Sequence, residues 1–466
     1  MEEKTMVRNM TEGSIPGHLA RFALPLLLAN CLQALYTTVD TLVVGRVVGT
    51  AGLSAVSNCA ELVTFYTMIA MGFASAGQIV IAQYVGKDDL PSIGKTIGAL
   101  LTFLVGFSLV CTAFSCSTVR WQLALLHLPK EAMADGVRYT VICSLGFVFT
   151  FLYNAVSAIL RGMGDSKRPL VFVAISSVTN LVLDIIFVAA FRWGAVGAAI
   201  ATTFSQAVSV AFSFVYLYRR KEAFVFDFKP ASFRPEGKYL WTLLRLGIPM
   251  AAQYAAVLLS IVFIASQINV YGVAASAANG VANKLENIVR IVPNSIGLAG
   301  SAMIAQNIAA KKQKRVSQIL LCTLALCLSW GLLCGLSVYL FPEKIFSVFD
   351  ASVEVQEYGK LFSPAGLVNY IGNGMRAASN ALLNGIGFAM LSLISGIIDS
   401  VAARIGLSLL LANTAKLGIF GFWLGSALAG YIPVIIGGTY YLSGRWKTYE
   451  LLRGKKESQS DGNTNE

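Results

Sequence analysis

Two aspartates stand at depths where an apolar chain has few reasons to hold a charge. Asp40 and Asp184 each fall within a long hydrophobic run. An acidic side chain buried in such a run costs ~2.5–3.5 kcal/mol on insertion scales, and it normally faces a bundle interior or an aqueous cavity. Gln33, Tyr36, Thr37 and Asp40 recur at three- and four-residue steps and so share one helical face, while Asn180 lies one turn before Asp184. Two carboxyls facing each other among amides and hydroxyls repel when both are ionised, so the pair takes up a proton more readily than a lone acid. Reversible protonation is the chemistry this pattern suits. The competing reading is a pair of buried acids held by hydrogen bonds to helix ends or hydroxyls.

The elements that must position these residues follow from composition. With 56% hydrophobic and 13% charged residues in 466, the chain reads as an all-α polytopic membrane protein, because apolar runs of about 20 residues match a hydrocarbon core of roughly 30 Å. Twelve spans are expected at 19–45, 52–83, 96–118, 137–160, 169–191, 194–218, 240–268, 275–308, 316–341, 358–384, 389–412 and 418–443. The chain is also written twice. Pro25 returns as Pro249, Ile81-Ala82-Gln83 as Ile304-Ala305-Gln306, Gly162 and Gly164 as Gly385 and Gly387, and Gly194 and Gly197 as Gly418 and Gly421. Such a duplication predicts twelve transmembrane helices in two pseudo-symmetric six-helix lobes around a central cleft, related by an axis along the membrane normal. The N-lobe covers 19–218 and the C-lobe 240–443. Residues 1–18 precede them, a charged linker with Pro230 and Pro235 occupies 219–239, and a tail runs over 444–466 and ends in the disorder-prone GKKESQSDGNTNE.

Charge sets orientation more than partnership. The net charge of +12 comes from basic residues on alternate loops, including Arg161, Lys167 and Arg168, then Arg219 to Lys238, then Lys311, Lys312, Lys314 and Arg315, then Arg445 to Lys456. The opposite loops hold few, such as Arg46, Arg192 and Lys416. This bias places both termini in the cytoplasm of a plasma-membrane protein and makes the lipid bilayer, not nucleic acid, the partner of the basic surface. The N-terminus MEEKTMVRNMTEGS lacks the basic stub and cleavage site of a removable signal peptide. Eight cysteines in apolar spans and two histidines, His18 and His127, offer neither a disulfide framework nor a metal set. No phosphate loop, nucleophile motif or paired-histidine site appears, so an enzyme is not expected, nor is any cofactor.

A second constellation lies in the C-terminal half. At the repeat offset Glu61 aligns with Lys284, and Glu286 and Arg290 follow on the same helix. One reading pairs Glu61 with Lys284 across the lobes as an outer gate; the other leaves local ion pairs or side chains reaching to the interface. Asp399 and Arg404, five residues apart, are poorly placed for each other on an α-helix, and other partners are expected for them. The intramembrane cations Lys284, Arg290, Arg376 and Arg404 read as scattered.

Several segments together resemble the multidrug and toxic compound extrusion (MATE) family of cation-coupled exporters. They are Pro25 to Gly45 with Gln33, Leu35-Tyr36 and Val39-Asp40, GFASAGQIVIAQYVGK from Gly72, LRGMGDSKRP from Leu160, NLVLD from Asn180 and FGFWLGSALAG from Phe420. The resemblance covers nearly the whole chain. It implies a cleft that alternates between the two sides of the membrane. In the proton-coupled prokaryotic branch, first-lobe carboxylates matching Asp40 and Asp184 take up protons among groups matching Asn154, Asn180 and Thr202. Where the sodium-coupled branch carries acids, this chain has Val257 or nearby Gln253 in helix seven and Asn373 in helix ten. The resemblance therefore implies H+ as the coupling ion, with Na+ near Asp40 and Asp184 as the alternative. Amphipathic organic cations are the expected substrates, a monomer is the expected state, and a flippase for a lipid-linked saccharide is the competing function. No metal site is expected.

Overall fold

The computed structural model describes residues 7–126 and 128–452, with 41–55 and Asn58 described by backbone alone. The expected disordered stretch after Arg453, His127, residues 1–6 and the side chain of Arg46 lie outside the described residues. Twelve long helical segments follow in chain order. They are α1 (Ile15–Asp40), α2 (Cys59–Gly86), α3 (Leu90–Leu125), α4 (Lys130–Leu145 and Phe147–Gly162), α5 (Lys167–Ala190), α6 (Gly194–Arg219), α7 (Gly237–Asn269), α8 (Val273–Ala309), α9 (Gln313–Leu340), α10 (Val353–Ile386), α11 (Ala389–Thr414) and α12 (Gly418–Leu442). Ten are long and apolar enough to cross a membrane unaided, and α4, bent by 46° at Gly146, makes an eleventh. The remaining segment, α10, has the length at 34 residues but is more polar, with Glu354, Glu357, Lys360, Asn369, Asn373 and Arg376 along it. Such a helix is tolerable in a bilayer only when its polar face is buried in protein.

The first two spans form one continuous run of helical backbone, Ile15–Gly86. Ser14 starts it by accepting a bond from the Gly17 amide, with Pro16 in the first turn where a missing N–H costs nothing. Both ends of this run meet the same residue. Just before its start, the Met10 amide donates to Oε1 of Gln306 at 2.9 Å, and at its end a Cβ on Gly86 would lie 2.1 Å from the Gln306 carbonyl oxygen. The run therefore doubles back between α1 and α2, and only glycine permits the contact of α2 with α8 at that point.

The lobes join at the end of the bundle that carries the termini. Gln83 on α2 donates to the carbonyls of Gly385 and Ile386 at 3.2 and 3.0 Å, and Asn30 on α1 donates to Ser295 on α8 at 3.0 Å. Gln78 accepts from Arg161 of α4 at 2.8 Å and donates toward the Leu298 carbonyl of α8. A strap formed by residues 7–14 reinforces this seam. Arg8 donates its amide to the Met163 carbonyl in the N-lobe, while Asn307, Lys312 and Arg315 of the C-lobe grip Met10, Thr11, Glu12 and Gly13. Met10 and Thr11 are buried in consequence. A segment that reads as a polar terminus thus acts as a clasp between the lobes.

The linker is likewise docked. Phe224 and Phe226 are buried and, with Phe228 and Phe233, form a ladder of aromatic contacts. Thr102 on α3 donates to the Phe233 carbonyl at 2.6 Å, and a Cβ on Gly98 would lie 1.9 Å from the Ser232 carbonyl oxygen. The Ser232 hydroxyl and the Lys229 amide hold the Asp227 carboxyl below the usual range and fix the turn. Composition reported the linker's charges and prolines; the aromatic residues between them carry its packing. The start of the tail also packs, with Trp446 buried and Tyr449 stacked on Phe388.

Arg315 makes three bonds to strap carbonyls, at 2.9, 3.2 and 3.4 Å. Each such bond from a charged donor is worth ~1.5 kcal/mol or more. In Arg315→Ala, amide exchange over residues 7–14 should accelerate about tenfold or more while exchange in α3 stays unchanged. Uniform acceleration through the molecule would show instead that the clasp is not a local unit.

Candidate functional site

Asp40, near the end of α1, and Asp184 on α5 meet inside the N-lobe, close enough to share a hydrogen bond when one carries a proton. Asp184 is fully buried. Neither of its oxygens, nor Oδ1 of Asp40 or Oδ1 of Asn180, has a hydrogen-bond partner among the described residues. Four orphaned acceptors in one chamber form a site short of protons or cations, since buried acceptors are normally satisfied. The backbone contributes to this geometry. Helix α5 is α-helical to Asp184 and becomes π-helical over Ile185–Ala190, a local widening frequent at functional sites.

The expected neighbours divide. Tyr36 lies beside both acids, and Asn180 donates to Thr202 of α6 at 3.5 Å. Thr37 directs its hydroxyl to the Gln33 carbonyl one turn back, and the Gln33 side chain is exposed. Asn154 spends its amide on the Thr150 carbonyl at 2.8 Å, within its own helix, so it does not serve the acids directly. Tyr139 of α4, buried and within electrostatic reach of Asp40, joins the chamber. Nothing in its local sequence singled it out.

In the C-lobe, two expectations are overturned. Asp399 and Arg404 do meet: Nη2 of Arg404 reaches Oδ1 of Asp399 at 3.5 Å. The segment Ile398–Ile405 is a π-helix, and a wider turn brings residues five apart onto one face, where an α-helix would separate them. Nor are the cations scattered. Arg376 of α10 reaches the other Asp399 oxygen at 3.5 Å and donates to Oδ1 of Asn373 at 2.5 Å. Arg404 also donates to Ser426 of α12 at 2.9 Å. Arg290 of α8 interacts electrostatically with Arg376, Arg404 and Asp399, and lies 3.8 Å from Glu286, which accepts from Asn369 at 3.2 Å. Four helices thus converge on one charged cluster.

Glu61 and Lys284 are both exposed and form no ion pair among the described residues. Gln253 packs beside Gly396 of α11, leaving no room there for a Cβ. Among the described residues no group of three or more histidines, cysteines and acids is placed to hold a metal ion.

The family model MatE matches residues 25–186 and again 249–410, starting at the first pair of repeat markers, Pro25 and Pro249. The chain belongs to the MATE family of membrane transporters. This MATE chain is 28% identical to "Probable multidrug resistance protein YpnP" of Bacillus subtilis, over 96% of its own length and 99% of that protein. It is 27% identical to "Probable multidrug resistance protein YoeA" of the same organism, over 97% and 98%. A MATE structure in complex with MaL6 superposes with a TM-score of 0.87 at 20% identity, covering 94% of this chain and 98% of that one. The fold, a multi-pass helical membrane protein built from two repeats, is therefore that of the MATE transporters and not of an enzyme.

In this MATE protein the two lobes carry opposite interior charge, and the C-lobe balance can be probed directly. Asp399→Asn leaves three guanidiniums facing one carboxylate; stranding buried charge of this kind costs ~3–5 kcal/mol. Arg290→Gln leaves two facing two and should cost less. Thermal unfolding in detergent should therefore rank Asp399→Asn well below Arg290→Gln, and equal losses would contradict the charge count.

Proposed function

We propose that this transporter exports amphipathic organic cations in exchange for protons, with Asp40 and Asp184 as the shared proton and substrate-charge site. The observation that carries the reading is the facing pair of acids with unpartnered oxygens in the N-lobe. A carboxyl pair in an apolar bundle is stable when it holds a proton or a cation, and less stable when it holds neither. Competition between the two ligands for one site is sufficient for antiport.

The cycle follows from charge. With the acids ionised and the cleft open to the cytoplasm, an organic cation binds against apolar and aromatic walls. The lobes then rock and protons entering from outside neutralise the acids, so the cation loses its counter-charge and leaves. Tyr36 stands beside both acids and Asn180 and Thr202 bond to each other one turn away, so the carboxyls are left to be satisfied by the proton or the cation. One proton in for one monovalent cation out moves no net charge, so the driving force is the pH difference, about 1.4 kcal/mol or tenfold in substrate gradient per pH unit.

This reading assigns both termini to the cytoplasm of a cell-membrane protein that works as a monomer. The lobes are bonded to each other at the end that carries the termini, and toward the opposite end Glu61 and Lys284 are exposed and make no ion pair among the described residues. In that orientation the cleft opens outward, toward the proton supply. Glu61 and Lys284 then become partners only after the lobes close at that end.

Everted vesicles under an imposed pH gradient, with a fluorescent cation added outside and with or without sodium, test the assignment. Wild type should take up the cation on acidification of the lumen, without sodium, and Asp40→Asn or Asp184→Asn should lose at least about 90% of that uptake. Sodium-dependent uptake would reassign the ion. Wild-type rates in both variants would remove the acids from the mechanism.

A further inference from the structure

The C-lobe cluster holds an excess of positive charge with no counter-ion of its own. Arg290, Arg376 and Arg404 face only Glu286 and Asp399, so one guanidinium is left uncompensated. The arrangement is deep: the side chains of Asp399, Arg404 and Arg376 are 3%, 6% and 13% exposed. A lone cation at such depth in a bundle is costly unless water or an anion reaches it. Access exists at the Arg290 and Glu286 edge, where the side chains are 29% and 22% exposed.

Orphaned atoms give the sign of the missing ligand independently of charge counting. In the N-lobe the orphans around Asp184 are acceptors. In this cluster they include two donors, Nε of Arg404 and Nδ2 of Asn373, on residues only 5% and 4% exposed. Arg290, whose only acidic neighbour among the ion pairs of the described residues is Glu286 at 3.8 Å, makes no hydrogen bond among the described residues. Unused donors beside an unbalanced guanidinium suit a planar oxyanion, which arginine binds through two parallel N–H groups.

We infer that the cluster of Arg290, Arg376, Arg404 and Asn373 is a second ligand subsite that binds a carboxylate on the transported molecule. The excess of one charge matches a monoanion. A pyrophosphate-bearing lipid headgroup would bring at least two negative charges and leave the cluster overcharged in the opposite sense. With acids in one lobe and arginines in the other, the substrate class is then a zwitterionic amphipath: its cationic end faces Asp40 and Asp184, and its carboxylate faces α8, α10 and α11. The inference rests on the chain being a transporter but does not require the acids to be the proton site.

The test uses the purified full chain and two probes that differ by one charge, tetramethylrhodamine with a free carboxyl and its methyl ester, followed by fluorescence anisotropy at neutral pH. Wild type should bind the free acid about tenfold more tightly than the ester, or more. That preference should fall to about onefold in Arg290→Gln and Arg376→Gln, persist in Arg290→Lys, and leave the ester's Kd within about twofold throughout. Benzoate should displace the free acid from wild type and not the ester. This arm holds even if a variant fails to fold. Equal binding of the two probes by wild type, or a preference surviving in a folded Arg290→Gln, overturns the inference. Pyrophosphate displacing the acid better than benzoate overturns the monoanion assignment. Asp40→Asn should keep the acid-over-ester preference while losing pH-driven uptake, so the two proposals fail separately.

Discussion

A membrane interior offers no solvent to an unmatched charge, and that constraint organises this molecule. Every ionisable group held at depth must find a proton, a counter-ion, a partner or a water-filled chamber. The N-lobe presents its problem as two acids with unpartnered oxygens, and the C-lobe as three arginines around two acids with unpartnered donors. Each arrangement defines by its deficit what has to arrive. The helix α10, too polar to cross alone, is tolerable because Arg376 and Asn373 turn into that cluster and Asn369 reaches Glu286.

The two deficits share one pair of equivalent elements. Helices α5 and α11 are the fifth of their repeats, and both leave the α-helical path for a π-helical one, at Ile185–Ala190 and at Ile398–Ile405 and Leu410–Thr414. A wider turn changes which residues share a face. In α5 it follows directly on Asp184, and in α11 it brings Asp399 and Arg404 together. At the repeat offset Leu410–Thr414 is the counterpart of Ile185–Ala190, whereas Ile398–Ile405, which joins Asp399 to Arg404, falls opposite backbone that is α-helical in α5.

The same physics closes the bundle. Where α2 approaches α8 and α7, backbone meets backbone through Gly86 and Gly72, the amide side chains of Gln78 and Gln83 donate to carbonyls of the other lobe, and Gln306 accepts from the Met10 amide of the strap. The strap over residues 7–14 adds charge-assisted bonds from Lys312 and Arg315. Beneath these polar contacts the seam is apolar: Leu19, Phe22 and Leu26 of α1 pack on Ala302, Met303 and Ile304 of α8 and on Val316 and Ile319 of α9, so separating the lobes at this end must also part that buried surface.

The sequence alone determined the class, the duplication and the approximate run of the spans, and it singled out Asp40 and Asp184. Apolar length, repeated Pro and Gly markers and three- and four-residue spacing are local quantities, and a bilayer translates them directly into helices. Asp40 and Asp184 were legible because a carboxyl in an apolar run is anomalous wherever it lies. Tertiary structure alone decided the rest. Arg290, Arg376 and Arg404 looked scattered because they lie on three helices, and Asp399 looked misplaced for Arg404 because spacing rules assume an α-helical turn that this segment does not keep. Tyr139, the strap and the aromatic docking of the linker were hidden for a related reason: a partner far away in the chain leaves no trace in local pattern, and only packing brings it within reach.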